Sequence, residues 1–118
     1  MNIETLREYC LSKKGAEETF PFGPDTLVYK VNGKIFLIAG LSNQPLQFNV
    51  KCDPDRAIEL REEYPCVHPG WHMNKKHWNT VEIDGSISDD MLKNLIDDSY
   101  DLVVMKLTKK EQTELKNY

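Results

Sequence analysis

The dipeptide Asn32-Gly33 constrains the fold of this chain most strongly, because a strand-forming run lies on each side of it. Asparagine and glycine readily adopt the positive φ angles of a type I′ turn, which joins two antiparallel strands in a tight hairpin. We therefore predict strands over residues 26–31 and 34–40. The apolar run 35–39 favours a central strand that is covered at least in part on both faces.

Further strands follow this hairpin. Between residues 46 and 51 apolar and polar side chains alternate, which is typical of a strand with one buried face. Later in the chain the pattern favours a short strand over 70–73, a turn near 74–76 and a strand over 77–83.

Helix signals lie around these strands. Asparagine, aspartate, serine and threonine side chains accept N–H bonds at helix N-termini, and proline fits the first helical turn. The predicted helix starts are Asn2, Asp53-Pro54, Ser86 with Asp89, and Thr108 with Glu111. In the third of these helices, the residues that recur at helical spacing are Leu92, Leu95, Ile96, Ser99 and Val103.

The predicted order is α-β-β-β-α-β-β-α followed by a short C-terminal helix. Short connections favour antiparallel pairing, so we expect an α+β two-layer sandwich in which a sheet of about five strands is backed by helices. Residues 1–118 are long enough for one domain with its own core. The connector 20–25 has two prolines and a glycine, and we expect Phe20 and Phe22 to fix it to that core. The residues expected to share the core are Ile35, Leu37, Phe48, Val50, Val81, Leu92, Leu95 and Ile96.

The composition indicates an ordinary globular protein, with 40% hydrophobic and 29% charged residues. A formal net charge of −4 argues against a general nucleic-acid coat protein, for which a basic domain is expected. Cys10, Cys52 and Cys66 are widely spaced and form no CxxC pair. Since we recognise no signal peptide and no membrane-spanning run, we expect a cytoplasmic protein with reduced cysteines, no cofactor and no membrane partner.

The segment 66–83 is the most unusual part of the chain, because it holds all three histidines and both tryptophans. No acid occurs between Glu63 and Glu82, although acids outnumber bases in the whole chain by 19 to 15. Aromatic rings, amides and basic side chains at this density suggest a surface that contacts a polar or anionic partner. The plainer interpretation is that Trp71 and Trp78 brace a hairpin and that the lysines are only solvated.

A metal site and a catalytic pair are the other interpretations of this segment. Cys66, His68, His72 and His77 match no standard structural zinc spacing, and a strand would direct His72 and His77 to opposite faces. Cys66 with a nearby histidine could serve as nucleophile and base, but no family signature surrounds it. We therefore predict no metal site and no catalytic residue, and hence a protein that is not an enzyme.

Three motifs, in this order, make the chain recognisable. They are residues 15–23 (GAEETFPFG), residues 72–81 (HMNKKHWNTV), and residues 98–103 (DSYDLV) with Lys106-Leu107. Over almost its whole length the chain resembles the MmcQ/YjbR family of small bacterial cytoplasmic proteins. The resemblance implies an antiparallel sheet backed by helices, and a DNA-binding role in which two hairpins act as wings.

By position, the tips of the two wings would be residues 32–34 and 74–77. Lysines at such tips can contact phosphates, asparagine and histidine can bond phosphates or base edges, and tryptophan can stack on unpaired bases. The residues expected to contact DNA are Lys34, Trp71, His72, Asn74, Lys75, Lys76, His77, Trp78 and Asn79.

The binding expected of this site is weak and mostly independent of sequence. No arginine follows Arg61 in the chain, so the side chain best suited to bidentate phosphate contacts is missing from the site. The alternative is a protein-interaction or chaperone-like module that uses the same aromatic and amide-rich surface. Salt dependence separates the two, because phosphate contacts release counterions and a largely apolar protein interface does not.

Overall fold

The computed structural model describes residues 1–71 and 73–118, in which helices flank a single sheet. The helices are α1 (Ile3–Leu11), α2 (Pro54–Glu63), α3 (Asp89–Met105) and α4 (Lys109–Leu115). The strands are β1 (Ala16–Thr19), β2 (Thr26–Val31), β3 (Lys34–Gly40), β4 (Gln47–Lys51), β5 (Val67–Pro69) and β6 (Trp78–Glu82).

The sheet is antiparallel throughout, with the spatial order β1-β2-β3-β4-β6-β5. Asn32 and Gly33 join β2 to β3 with φ angles of 50° and 79°, so the predicted hairpin is confirmed. The predicted α+β class is confirmed as well, although the sheet has 6 strands where about five were expected.

Strand β1 is the strand that the sequence does not predict, because its two glutamates have low strand propensity. Tertiary contacts of Glu18 hold it in place. The Glu18 carboxylate accepts bonds from the Arg7 guanidinium of α1 at 2.9 and 3.0 Å and from the Tyr29 hydroxyl at 2.7 Å. The pairing of β1 with β2 therefore depends on residues that lie far from β1 in the sequence.

The short strand predicted over 70–73 is wrong. Strand β5 ends at Pro69, and its pairing with β6 stops there as well. The chain then turns, since the Met73 N–H donates to the Gly70 carbonyl at 3.3 Å. Gly70 lies so close to β6 that a Cβ atom at this position would be 2.8 Å from Trp78 Cβ.

Helices α1, α2 and α3 cover one face of the sheet, and the core lies between them and the strands. Every residue predicted for the core is buried there except Ile35, which is half-buried. The stripe predicted for α3 is also confirmed, since its five residues are all buried. None of the helices in the described residues packs on the opposite face. Its central row consists of residues that are opposite one another across five strands, namely Val28, Ile38, Asn49, Thr80 and His68.

Three of the predicted helix caps are confirmed, and one is displaced. Asn2, Asp53 and Thr108 accept N–H bonds from the first turns of α1, α2 and α4. Helix α3, however, is capped by Ser88, which accepts a bond from the Met91 N–H at 3.2 Å. The Ser86 hydroxyl is engaged elsewhere, because it donates to Asp84 at 2.5 Å.

The connector 20–25 does not reach the core in the predicted way. Phe20 and Phe22 are 48% and 66% exposed, so the prediction that they fix it there is wrong. The segment is a succession of turns between β1 and β2, with Gly23 at a φ of 115°, and it directs Phe22 towards the helix-free face of the sheet.

Candidate functional site

Three lysines and a tryptophan meet in a cleft at one end of the sheet. The cleft has a volume of about 600 Å³ and is lined by Lys34, Ile35, Lys51, Trp78, Val103 and Lys106. Strand β3 starts, β4 ends and β6 starts at this end, and Lys51 is directly opposite Trp78 in the register. Helix α3 contributes its last turn. We call this the lysine cleft.

The lysines of this cleft are available to an anion. Among the described residues, the ammonium groups of Lys34, Lys51 and Lys106 form no hydrogen bond or ion pair. No acid of the described part of the chain lines the cleft itself. Glu111 of α4 feels the charge of Lys34, because its pKa is lowered mainly by the Thr108 N–H and to the smallest extent by Lys34.

Among the described residues, three other arginine and lysine side chains form ion pairs with acids. Arg7 pairs with Glu18 at 2.9 Å, Arg56 with Glu59 at 3.7 Å, and Lys13 with Asp97. Other lysines, such as the exposed Lys109 and Lys110, have no acidic partner among the described residues either, so the cleft is distinguished by bringing three lysines into one depression. The lysine cleft is therefore a local positive region on an acidic protein.

The loop 70–77 connects β5 to β6 and is braced by Arg61 of α2. The Arg61 guanidinium donates to the carbonyls of Lys75 and Trp78, the second at 3.3 Å, and to the Asn79 side chain at 2.7 Å. The Lys75 ammonium donates back to the Gly70 carbonyl at 3.1 Å. This region therefore does contain an arginine, but its guanidinium bonds to the loop and to β6.

Trp71 lies on the helix-free face with 42% of its surface exposed. One side of its ring stacks on His68, with centroids 5.1 Å apart and planes 16° apart. His68 is held in turn by Glu82, whose carboxylate is 2.8 Å from Nε2. Trp71 is thus a surface ring that is stacked on one side, whereas Trp78 is half-buried beside the lysines.

A wide groove runs over the helix-free face between the connector 20–25 and the loop 70–77. Its volume is about 760 Å³, and its walls combine apolar side chains with the amides of Asn43, Gln47 and Asn49. The apolar and aromatic members are Phe22, Ile35, Ile38, Trp71 and Met73. Ile35 lines the lysine cleft as well, so the two depressions adjoin. We call this one the open-face groove.

The residues predicted to contact DNA are divided among several environments. Lys34 and Trp78 meet in the lysine cleft, and Trp71 lines the open-face groove. Asn74, Lys75, Lys76 and His77 are in the loop, where Asn74 and Lys76 are exposed and the His77 carbonyl accepts the Cys52 N–H at 2.7 Å. His72 lies outside the described residues.

Asn79 is the predicted contact residue that the fold makes inaccessible. It is 1% exposed, and its amide donates to the Ala57 carbonyl at 3.3 Å while its oxygen accepts from Arg61. Strand parity explains the difference, because Asn79 points to the helix-covered face and Trp78 and Thr80 point away from it. Asn79 therefore connects β6 to α2 and offers nothing to a partner.

The sequence did not single out Lys51 or Lys106 as site residues. Each is an isolated lysine in its own segment, and only the register of β4 with β6 and the end of α3 bring them to Lys34 and Trp78. The sequence signal for Lys106 was its place beside the family motif 98–103.

The described residues provide no feature of a metal or thiol centre. Cys10, Cys52 and Cys66 are free and buried, and burial raises the pKa of Cys10 to about 12 and that of Cys52 to about 11. Within 1–71 and 73–118, no three His, Cys, Asp or Glu side chains form a group that could hold a metal ion. No helix in this part of the chain is long and apolar enough to cross a membrane.

A family model and similar proteins indicate the same family for this chain. The YjbR family model matches residues 11–102. The uncharacterized protein YbdF of Escherichia coli O157:H7 is 38% identical over 113 residues, which cover 96% of this chain and 93% of that protein. The uncharacterized protein YjbR of Escherichia coli (strain K12) is 34% identical over 113 residues, with 95% of each chain covered.

Solved structures share the fold. A crystal structure of the Deinococcus radiodurans protein DR2400, described as a DUF419 domain, is similar with a TM-score of 0.93 and 39% identity. The similarity covers 98% of this chain and 88% of that one. A crystal structure of a Pseudomonas syringae protein has a TM-score of 0.76 and 26% identity, covering 87% of this chain and 99% of that one.

Proposed function

This chain belongs to the YjbR family, and from the geometry of its lysine cleft we propose that it is a DNA-binding protein. In this proposal Lys34, Lys51 and Lys106 contact phosphates, and the Trp78 ring lies against the sugar-phosphate backbone or a base. The observation that carries the proposal is that three lysines without partners among the described residues share one cleft that no acid lines.

The physical basis of the proposal is counterion release. Each phosphate neutralised by a lysine frees a condensed cation, which favours binding without reading the base sequence. Lys76, exposed in the adjoining loop, can add a contact at the rim. The net charge of −4 opposes long-range attraction. We expect dissociation constants on the order of 10⁻⁴ to 10⁻⁶ M, as for other non-specific complexes.

A double substitution within the cleft tests the proposal. Lys51→Gln with Lys106→Gln should reduce the magnitude of the log-affinity versus log-salt slope for duplex DNA by about two, because each lost phosphate contact contributes roughly 0.9. The matched control is Lys109→Gln with Lys110→Gln, which removes the same charge from exposed positions on α4. Labelled duplex is titrated at several salt concentrations, and thermal unfolding checks that both variants are folded.

The comparison between the two variants decides the result. A flattened slope for the cleft variant alone supports the proposal. Equal slopes for both variants, or no binding by the wild type at low salt, would leave DNA binding through this cleft without support.

A second candidate is a protein-interaction module, which the exposure of Phe22 and Trp71 around the open-face groove favours. A largely apolar interface there would retain its affinity as salt rises, in contrast to phosphate contacts. In either case we propose a binding role and not a catalytic one. Free cysteines suit the reducing cytoplasm that we propose as its location.

A further inference from the structure

We propose that the open-face groove receives one unstacked base of a nucleic-acid strand whose phosphates lie in the lysine cleft. The inference rests on the proposed function and goes beyond it, since it makes single-stranded or locally opened DNA the preferred form. Three features of the groove carry it: its continuity with the cleft, the orientation of the Asn49 amide and the exposed ring of Trp71.

Continuity between the two depressions comes from Ile35. Its half-buried side chain lines the lysine cleft on one side and the open-face groove on the other. A strand whose backbone is held by Lys34 and Lys51 therefore has an adjoining depression into which a neighbouring base can turn. The charge of the cleft and the mixed polar and apolar lining of the groove match the two parts of a nucleotide.

The orientation of the Asn49 amide follows from a chain of hydrogen bonds. The backbone N–H of Trp71, which can only donate, bonds to the Thr80 hydroxyl oxygen at 3.0 Å. The Thr80 hydroxyl then donates to the Asn49 side-chain oxygen. This order leaves the Asn49 NH₂ group as a donor that has no partner among the described residues, and Asn49 lines the groove. It can donate to a ring nitrogen or carbonyl oxygen of a base.

The Trp71 ring supplies a stacking surface. One side of the ring stacks on His68, whose Nε2 lies 2.8 Å from the Glu82 carboxylate. The ring lines the groove and is 42% exposed. Stacking on such a ring tolerates any base, since every base has a π face, and contributes roughly 5- to 150-fold in affinity. A paired base in a duplex is already stacked and cannot offer its face in this way.

An abasic strand separates the role of the groove from that of the cleft. A short labelled single strand and the same strand with abasic residues carry the same phosphates and differ only in their bases. At low salt the intact strand should bind roughly tenfold more tightly, and Trp71→Ala should remove the difference by weakening only the intact strand. Phe20→Ala, at an exposed ring that does not line the groove, is the matched control.

Because Trp71→Ala could disturb the fold, a second experiment measures binding to the groove with the Trp71 ring in place. Trp78→Phe keeps an aromatic ring in the lysine cleft, and titration of the labelled intact strand first shows that this variant still binds. Trp71 is then the remaining tryptophan, so its fluorescence reports on the groove alone. The intact strand should quench this fluorescence, and the abasic strand should not.

The outcomes distinguish the two proposals. Equal affinity of the two strands with a retained salt slope, or no quenching by the intact strand, overturns the role of the groove and leaves DNA binding through the cleft standing. Absence of salt-dependent binding by both strands overturns the proposed function, and the base site with it.

Discussion

At the scale of single residues, Ser99 is the polar member of an otherwise apolar stripe on α3. A polar side chain is suited to this position because backbone groups of two strands bond to it. Its hydroxyl donates to the Phe36 carbonyl at 2.6 Å and accepts the Lys51 N–H at 2.8 Å. It thereby bridges β3 and β4 just before their regular pairing begins at Leu37↔Val50. The same contact fixes the end of β4, where Lys51 enters the lysine cleft.

Ser99→Ala should lower the free energy of unfolding by about 1–3 kcal/mol, because it leaves buried strand groups without their partner. Ser42→Ala, at an exposed serine with no side-chain bond among the described residues, is the control and should change stability little. Urea denaturation of the two variants beside the wild type measures the difference. A cost for Ser99→Ala no larger than for Ser42→Ala would contradict this role.

At the scale of elements, the loop 70–77 owes its order to helix α2. Arg61 is the link, since one guanidinium contacts the carbonyls of Lys75 and Trp78 and the buried amide of Asn79. The pairing of β5 with β6 ends at Pro69, before the loop begins. Both tryptophans depend on this arrangement, because Trp71 is in the loop and Trp78 begins β6 directly after it.

Arg61→Met should therefore loosen the loop while β2, β3 and β4 remain intact. Removing the guanidinium leaves the Asn79 oxygen without its bond, which should cost about 1–3 kcal/mol of stability. Hydrogen exchange should accelerate at the amides of 73–78 and stay slow in the central strands. Arg56→Met, which breaks only an exposed pair with Glu59, serves as the control. Unchanged exchange in the loop would contradict the bracing role.

Much of the architecture could be predicted from local pattern, because local chemistry determines it. Asn32 and Gly33 both adopt the positive φ angles of a tight hairpin turn. Asn2, Asp53 and Thr108 each cap a helix by accepting N–H bonds from residues two or three positions further on. Strand β1 could not be predicted in this way, since Glu18 becomes a strand residue through a distant arginine and tyrosine.

The candidate site was predictable only in part, for a related reason. Trp71, Trp78 and the lysines of the loop stand out in the sequence because they are dense within a few residues. Lys51 and Lys106 do not, since they meet Lys34 only through sheet register and the end of a helix. A site within one loop can be recognised because its residues are close together in the sequence. A cleft whose residues come from three strands and a helix can be recognised only when the fold is known.

At the scale of the whole molecule, burial and hydrogen bonding shift the pKa values of individual carboxyl groups in opposite directions. On α3 the pKa of Asp98 is raised, first by burial and then by the neighbouring Asp101. At β1 the opposite holds, because a hydrogen bond from Arg7 keeps the pKa of Glu18 below its ordinary value of 4.5. The pairing of Arg7 with Glu18 therefore links the fold to pH.

The stabilising part played by Glu18 should disappear in acid. A carboxyl whose pKa is lower in the folded than in the unfolded chain stabilises the fold above its unfolded pKa and loses this contribution as pH falls through its folded pKa. The stability difference between wild type and Glu18→Gln should thus be largest at neutral pH and shrink below about pH 4.3. Glu17→Gln, which removes the same charge from the exposed neighbouring residue, is the matched control. Urea denaturation at neutral and acidic pH gives both differences, and a Glu18→Gln effect that stays constant from neutral pH into acid would show that the Arg7 contact does not couple β1 to pH.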